Sequence, residues 1–263
     1  MQPFVLDMLE CPACRGELAW RVSERWRGRV EEADGSCGAC GATYAVRDGI
    51  GLLLTPEERL SSPPAVGGWA AYLAEHPEVE RQLMGAPLAD LNPADQFYRA
   101  LVLEERGEFA QADEAAALAR RGLYTSEYLA RWDSQIRWLI QHLCTSDGPL
   151  VDLASGRCYL VEAISRELTR PVVASDLDSS ILRRDRRRLE FLGLYDRVSL
   201  LAFDARRTPF RSSLVETMTT NLGLPNIADA GNVLAEIRRV VVGEFIAISH
   251  FYPEDDETNL AGC

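Results

Sequence analysis

Four cysteines in two close pairs constrain this chain more than any other feature. Cys11-Pro12-Ala13-Cys14 and Cys37-Gly38-Ala39-Cys40 are C-x2-C knuckles separated by 22 residues. Each knuckle can place two thiolates on one ion. Two of them close a tetrahedron with bonds of about 2.3 Å, the arrangement of a structural zinc ribbon, with iron or a pair of disulfides as the alternatives. With every ligand position filled by protein, such a metal has no open site for catalysis. The expected role of Cys11, Cys14, Cys37 and Cys40 is therefore to bind structural Zn2+ and fold a module too small to hold itself together, and Cys37→Ser is expected to unfold that module alone. The intervening "RGELAWRVSERWRGRVEEADGS" alternates apolar and polar residues as a hairpin does, and "ATYAVRDGIGLLL" reads as another strand with a turn at Asp48-Gly49.

A chain of 263 residues, 47% hydrophobic, can bury a full core as one large domain with one or two small ones. Of its seven cysteines, Cys144, Cys158 and Cys263 suggest no disulfide scheme, which favours a reducing compartment. No basic start leads into a long apolar run, and no segment approaches the roughly 18 apolar residues that cross a bilayer. A cytoplasmic protein without a membrane partner is expected. The net charge of −12 argues against a broad nucleic-acid surface. All 28 basic residues are arginine, so Schiff-base lysines and lysine-dependent phosphate loops are excluded.

From Thr55 to about Gly122 the chain reads as helical and acidic, with a Pro/Ser/Gly-rich joint "SSPPAVGG" marking a domain boundary. Asn92 and Pro93 make a helix start. In the following helix Tyr128, Leu129, Trp132, Ile136, Leu139, Ile140 and Leu143 recur at helical spacing, an apolar face expected to pack on a sheet, with Tyr124 and Tyr128 as an alternative aromatic lid.

After Cys144 strands and helices alternate, the pattern of a parallel sheet covered on both faces. Strands are expected at 150–153, 172–175, 198–203, 215–220 and 244–251, with helices near 159–168, 180–192 and 228–241. The domains expected are a zinc ribbon over 1–56, a helical linker or lid over 57–122 and a Rossmann-like α/β domain over 123–263. Ligands of such sheets bind beyond the carboxyl ends of the strands. Asp152, Asp176, Asp204 and Asn221 stand at four of those ends, and Asp176 follows Asp152 at nearly the offset of a ribose-binding acid. Asp178 reads as a helix cap. The turn "LVDLASGRCYL" keeps a single glycine, Gly156, with Ala154 and Cys158 where companions are usual.

Two resemblances follow from these motifs. "LDMLECPACRGEL" and "CGACGATYAVRDGIGLLL", about the first fifty-five residues, resemble the small zinc-ribbon proteins that bind and activate tRNA and protein methyltransferases, which implies a methyltransferase partner. From Gly148 onward the chain resembles the class I S-adenosylmethionine-dependent methyltransferases, through "LVDLASGRCYL", "VVASDLDSSIL", "LLAFDARRTPF" and "NVLAEIRRVVVGEFIAIS" in the family's order over about 110 residues. The resemblance implies S-adenosylmethionine as cofactor, with Asp176 and the adjoining Leu177 at the ribose, Asp204 and the backbone of Ala205 at the adenine, the turn Asp152, Ala154, Ser155 and Gly156 beside the methionine part, and Asn221 at the next strand end. Only twelve residues follow Phe251, too few for the helix and antiparallel pair that complete the family's sheet. A shortened sheet is expected, its edge covered by the helical segment or by a second copy in a homodimer.

Methyl transfer depends mainly on alignment of donor and acceptor, so a general base is optional, with His250 and Tyr124 as the candidates. The Asn-Pro-Pro-aromatic motif of base-amine methylation is absent, since Asn221 is followed by "LGLPN". The acceptor is a small molecule or RNA. A zinc ribbon before a methyltransferase fold is similar to the bacterial large-subunit rRNA guanine methyltransferases, and "RRDRRR" at 183–188 offers arginines, although a solvated helix face explains that run equally. The competing expectation is a catalytically inactive methyltransferase fold serving as a zinc-ribbon binding or scaffold module.

Overall fold

The computed structural model describes residues 1–61 and 68–249. His250 and Cys263 lie outside them. The chain divides into two compact units: Met1–Ser62 with Ser146–Arg183 and Leu194–Cys263, and Pro63–Thr145 with Arg184–Gly193.

The first unit opens with a short helix α1 (Phe4–Met8) and four strands, β1 (Leu18–Trp26), β2 (Arg29–Cys37), β3 (Thr43–Arg47) and β4 (Ile50–Leu52). Both hairpin turns place two successive residues at positive φ, Arg27 and Gly28 at 49° and 80°, Asp48 and Gly49 at 50° and 68°. That backbone twist matches the twist of the flanking strands. Helix α2 (Pro56–Ser61) starts on a capping box: the Thr55 hydroxyl accepts from the Glu58 N–H at 3.3 Å and the Glu58 carboxylate accepts from the Thr55 N–H at 2.7 Å.

The second unit contains α3 (Trp69–Glu75), α4 (Pro77–Gly85), α5 (Pro93–Arg106), α6 (Phe109–Leu123) and α7 (Ser126–Leu143). Asn92 caps α5 by accepting from the Asp95 N–H at 2.9 Å, with Pro93 in the first turn, as the sequence predicts. Gly107 at φ 80° ends α5, and Ala100, Leu103, Ala112 and Ala115 form the seam between α5 and α6. Residues 123–145, expected with the α/β half, lie in this helical unit.

The alternating half supplies β5 (Leu150–Asp152), α8 (Tyr159–Glu167), β6 (Val172–Asp176), α9 (Ser179–Phe191), β7 (Val198–Ala202), β8 (Val215–Asn221), α10 (Ala230–Val240) and β9 (Val241–Ile248). β5 to β9 pair only in parallel. Their order, β7-β6-β5-β8-β9, is that of a doubly wound α/β half, as expected from the sequence. Among the described residues β9 stands last in the sheet.

The ribbon is not a separate bead. Its last strand, β4, pairs in parallel with β7 (Ile50 with Leu200, Gly51 with Leu201, Leu52 with Ala202), so ribbon and Rossmann strands form one sheet of nine strands among the described residues. A side chain at Gly51 would meet the Leu201 Cδ2 at 2.4 Å, which is why this crossing takes glycine. Val5, Leu9, Leu18, Val30 and Val46 of the ribbon share a core with Val151, Val173, Leu201, Phe210 and Met218. Buried Arg29 reinforces the join by donating to the carbonyls of Asp196 and Val198 at 3.0 and 2.7 Å, its guanidinium 4.2 Å from the Tyr195 ring centre.

Candidate functional site

The two knuckles bring four sulfur atoms together. All lie within 4.8 Å of one another, with Cys11 to Cys40 at 3.6 Å and Cys14 to Cys37 at 3.5 Å. A tetrahedron with bonds of about 2.3 Å has edges of roughly 3.7 Å, so the cage has the size zinc requires. Gly16 lets the knuckle close: a side chain there would stand 2.9 Å from the Cys37 sulfur and 3.2 Å from the Cys14 sulfur. Backbone N–H groups of Cys40 and Ala39 favour the Cys37 thiolate and bring its pKa down to about 7, whereas at Cys14 and Cys40 the pull of the Gly16 and Ala42 N–H groups is outweighed by the neighbouring sulfurs and burial, which raise both.

The second site lies at the carboxyl ends of β5, β6, β7 and β8. The strand order reverses here: β6 lies on one side of β5 and β8 on the other, which leaves a crevice between their exit loops. A cavity of about 380 Å³ is lined by Leu153, Ala154, Gly156, Ser175, Asp176, Leu177, Phe203, Asp204, Ala205 and Arg206, and by Gly223, Asn226, Ile227 and Ala228 of the segment after β8. This volume falls in the range of small-molecule sites.

The turn after β5 explains itself through its dihedrals. Ala154, Gly156 and Cys158 have φ of 52°, 54° and 55°, the left-handed region that glycine occupies without cost. Two non-glycine residues hold a glycine-type turn, stitched down by neighbours. Ser155 donates its hydroxyl to the Asp152 carbonyl and accepts from the Ser175 N–H, both at 3.0 Å. The Asp176 carboxylate accepts from the Gly156 N–H at 3.2 Å and from the Asp178 N–H at 3.0 Å. On the far wall Gly223 permits contact: a side chain there would meet the Ala154 Cβ at 2.8 Å.

Of the residues expected at a cofactor, Ala154, Gly156, Asp176, Leu177, Asp204 and Ala205 line this cavity together. Asp152, Ser155 and Asn221 are not in its lining. Asp152 is 1% exposed and accepts from the Thr219 hydroxyl at 2.6 Å; burial pushes its pKa up to about 6, against the pull of Thr219 and Ser155. Asp178 caps α9 by accepting from the Ser180 N–H at 2.7 Å. Tyr124 stacks on Tyr128 in the helical unit, ring centres 4.9 Å apart, and is not among the lining residues.

Sequence reasoning passed over Arg206, Gly223 and Asn226. Arg206 grips Asp204 from two positions away, its Nη2 2.5 Å from Oδ2 and its Nε 3.0 Å from Oδ1, while its backbone N–H donates to Oδ1 at 2.8 Å. Burial raises the Asp204 pKa, but Arg206 outweighs it and holds the carboxylate below its ordinary value. The Asp204 carboxylate is therefore held ionised, and Gly156, with nothing within 4 Å of where a side chain would start, leaves room beside the turn. An adenosine moiety presents hydroxyl and amine donors to such acceptors, so the donor set fits S-adenosylmethionine.

A larger concavity, about 760 Å³, lies over β1 to β4 and is lined by Arg21, Asp34, Ala45 and Arg47 among others. Its charges are mutually engaged, with Arg47 2.5 Å from the Asp34 carboxylate, so it lacks free carboxylates converging on a ligand. Four of the five arginines of 183–188 are similarly occupied. Arg184 pairs with Asp185, Arg186 with Glu190 and Arg188 with Asp113, at 2.7 to 2.9 Å, and Arg187 donates to the Glu105 carbonyl.

Comparison with known proteins matches both resemblances read from the sequence. Residues 130–252 match the model of the ubiE/COQ5 methyltransferase family, and residues 2–49 that of the Trm112p-like proteins. Curated relatives include the ubiquinone/menaquinone biosynthesis C-methyltransferases UbiE of Erwinia tasmaniensis and of Pectobacterium carotovorum, 32% and 29% identical over 94 residues. In both, the match covers 35% of this chain and 38% of the relative, so the chain spans well under half the length of these proteins. Similar solved structures include a SAM-dependent methyltransferase from Aquifex aeolicus, with TM-score 0.39 and 16% identity over 47% of this chain and 76% of that one. Another is geranyl diphosphate methyltransferase in complex with SAM, with TM-score 0.38 and 24% identity over 43% and 47%.

Proposed function

We propose that this chain binds S-adenosylmethionine at the carboxyl ends of β5 to β8 and catalyses methyl transfer to a small organic acceptor. The observation that carries the reading is the turn after β5: Ala154 and Cys158 hold left-handed conformations that cost non-glycine residues of the order of 1 kcal/mol each, and the Gly156 N–H donates to Asp176. A turn kept in this strained form beside the carboxylates of Asp176 and Asp204 supports a working site over an inactive scaffold.

In this reading Asp176 accepts the ribose hydroxyls, with Leu177 against the sugar. Asp204 accepts the adenine amine beside the Ala205 backbone, and Arg206 holds that carboxylate ionised and turned into the cavity. Ala154 and Gly156 border the methionine part, with Asp152 and Ser155 behind them as supports. Bound there, S-adenosylmethionine supplies an electrophilic methyl group on its sulfonium. What remains for the protein is to orient the donor and exclude water, which is the larger part of such catalysis. No base is assigned, and Asn221 is given no cofactor contact.

The relatives are C-methyltransferases of ubiquinone and menaquinone biosynthesis by their names. Those names, the net charge of −12 and the engaged arginines of 183–188 support a small acceptor over RNA. We take residues 1–56 as the module that holds one structural zinc. Four cysteines gathered as a metal cage rather than paired as disulfides support a cytoplasmic setting. Mass spectrometry of the denatured protein tests the reading: co-purified S-adenosylmethionine or S-adenosylhomocysteine is expected, and protein that emerges without either and takes up neither on incubation contradicts it.

A further inference from the structure

The loop that carries Asp204 is fastened to the first cysteine knuckle. After Asp204 to Arg207 comes Thr208, fully buried, whose N–H and hydroxyl both donate to the Glu236 carboxylate of α10, at 3.0 and 3.1 Å. The other oxygen of Glu236 accepts from Arg15 at 2.6 Å, and Arg15 also donates to the Thr208 carbonyl at 3.1 Å. Arg239 closes the ring: it donates to Glu236 at 2.9 Å and to Glu10 at 2.9 Å, and Glu10 accepts from Arg15 at 3.3 Å. Burial raises the Glu236 pKa, but Arg239 and Arg15 outweigh it and keep the acid ionised.

Arg15 is the residue directly after Cys14. It stands at φ 65° with its N–H donating to the Cys11 carbonyl at 2.7 Å, and Gly16 rests against the thiolates. The backbone is joined as well. The Glu10 N–H donates to the Pro209 carbonyl at 2.7 Å, the Arg211 N–H donates to the Met8 carbonyl at 3.0 Å, and Leu9 bridges Phe210. A mere surface ion pair adds little, but here two acids and two arginines share their oxygens and protons around one buried threonine, so loss of any member leaves the others unsatisfied.

We propose that Arg15 and Glu236 are positioning residues for the adenine loop, tying residues 204–208 to the metal knuckle so that an ordered ribbon sets the protein's affinity for the adenosine end of its cofactor. The proposal rests on the cofactor reading above. Arg15 and Glu236 touch no ligand; they act by keeping Asp204 and Ala205 in the binding-competent arrangement. A loop competent only a tenth of the time weakens apparent affinity about tenfold.

The test is titration calorimetry of S-adenosylhomocysteine on the full zinc-loaded chain, with hydrogen exchange followed over residues 204–210 in the same samples. Arg15→Ala and Glu236→Ala are expected to weaken binding about tenfold and to speed exchange at 204–208 while zinc content stays unchanged. Glu236→Gln keeps one acceptor oxygen for the two Thr208 donors but loses the one that Arg15 uses, so its affinity is expected to fall between wild type and Glu236→Ala. Arg47→Ala, which breaks the ribbon's Asp34 pair and leaves the Arg15 ring intact, binds like wild type. Wild-type affinity and unchanged exchange in zinc-loaded Arg15→Ala and Glu236→Ala overturn the proposal, as does an equal loss in Arg47→Ala. Wild-type protein that binds no S-adenosylhomocysteine refutes the cofactor reading instead, and exchange at 204–208 then decides alone whether the brace exists.

Discussion

Ala154 occupies a conformation that suits glycine, so its replacement by glycine is expected to stabilise the protein. Removing the methyl group at φ 52° relieves about 1–2 kcal/mol, offset by about 0.4–1 kcal/mol for the greater freedom of glycine in the unfolded chain, for a net gain of several tenths to about 1 kcal/mol in urea unfolding. A loss of stability would show that the Ala154 methyl packs against Gly223 to greater effect than its strain costs. Asp152 gives a pH signature. Its folded pKa of about 6 exceeds an unfolded value near 3.9, so the native state holds the extra proton between them, and stability falls as pH rises from about 4 to about 6. Burial makes this as much as roughly 3 kcal/mol, and Asp152→Asn should flatten that part of the profile. Unfolding free energies of the two proteins that run parallel across this range contradict it.

At the scale of elements, β4 joins ribbon to sheet through Gly51. Gly51→Val drives a side chain into Leu201, and overpacking of this kind costs about 1–3 kcal/mol. Thermal unfolding should register that cost, and an unshifted midpoint would mean the two strands separate freely. The strands β5 to β9 were legible in the sequence because each is a short apolar run between turn residues, and the ribbon hairpins because Asp48-Gly49 and the cysteine knuckles mark their ends. The parallel pairing of β4 with β7 was not legible. It joins residues 50–52 to 200–202, and neither segment carries a local sign of its partner. Asp176 and Asp204 could be read at their strand ends, whereas Arg206 resembled any exposed arginine and Gly223 gains its role only by meeting Ala154 across the fold. Arg15 and Glu236 are 221 residues apart, so no spacing rule connects them.

For the whole molecule, the shared sheet revises the expectation that the ribbon unfolds alone. Unfolding it would bare the edge of β7 and open a core common to Leu9, Val30, Val151 and Phe210. Cys37→Ser or zinc chelation should therefore lower the stability of ribbon and Rossmann strands together, in one transition, with about one zinc released per chain. Two separate transitions, the first confined to the ribbon, contradict this. Binding of S-adenosylmethionine by the strained turn and its carboxylates is tested by titration calorimetry of S-adenosylhomocysteine on wild type, Asp176→Ala and Asp178→Ala. One site per chain is expected in wild type, with a loss of about 1.5–3 kcal/mol, roughly ten- to a hundredfold in affinity, in Asp176→Ala. Asp178→Ala, which removes only a helix cap, should bind nearly as wild type does. Well-folded wild type that does not bind, or equal affinity in wild type and Asp176→Ala, would overturn the assignment.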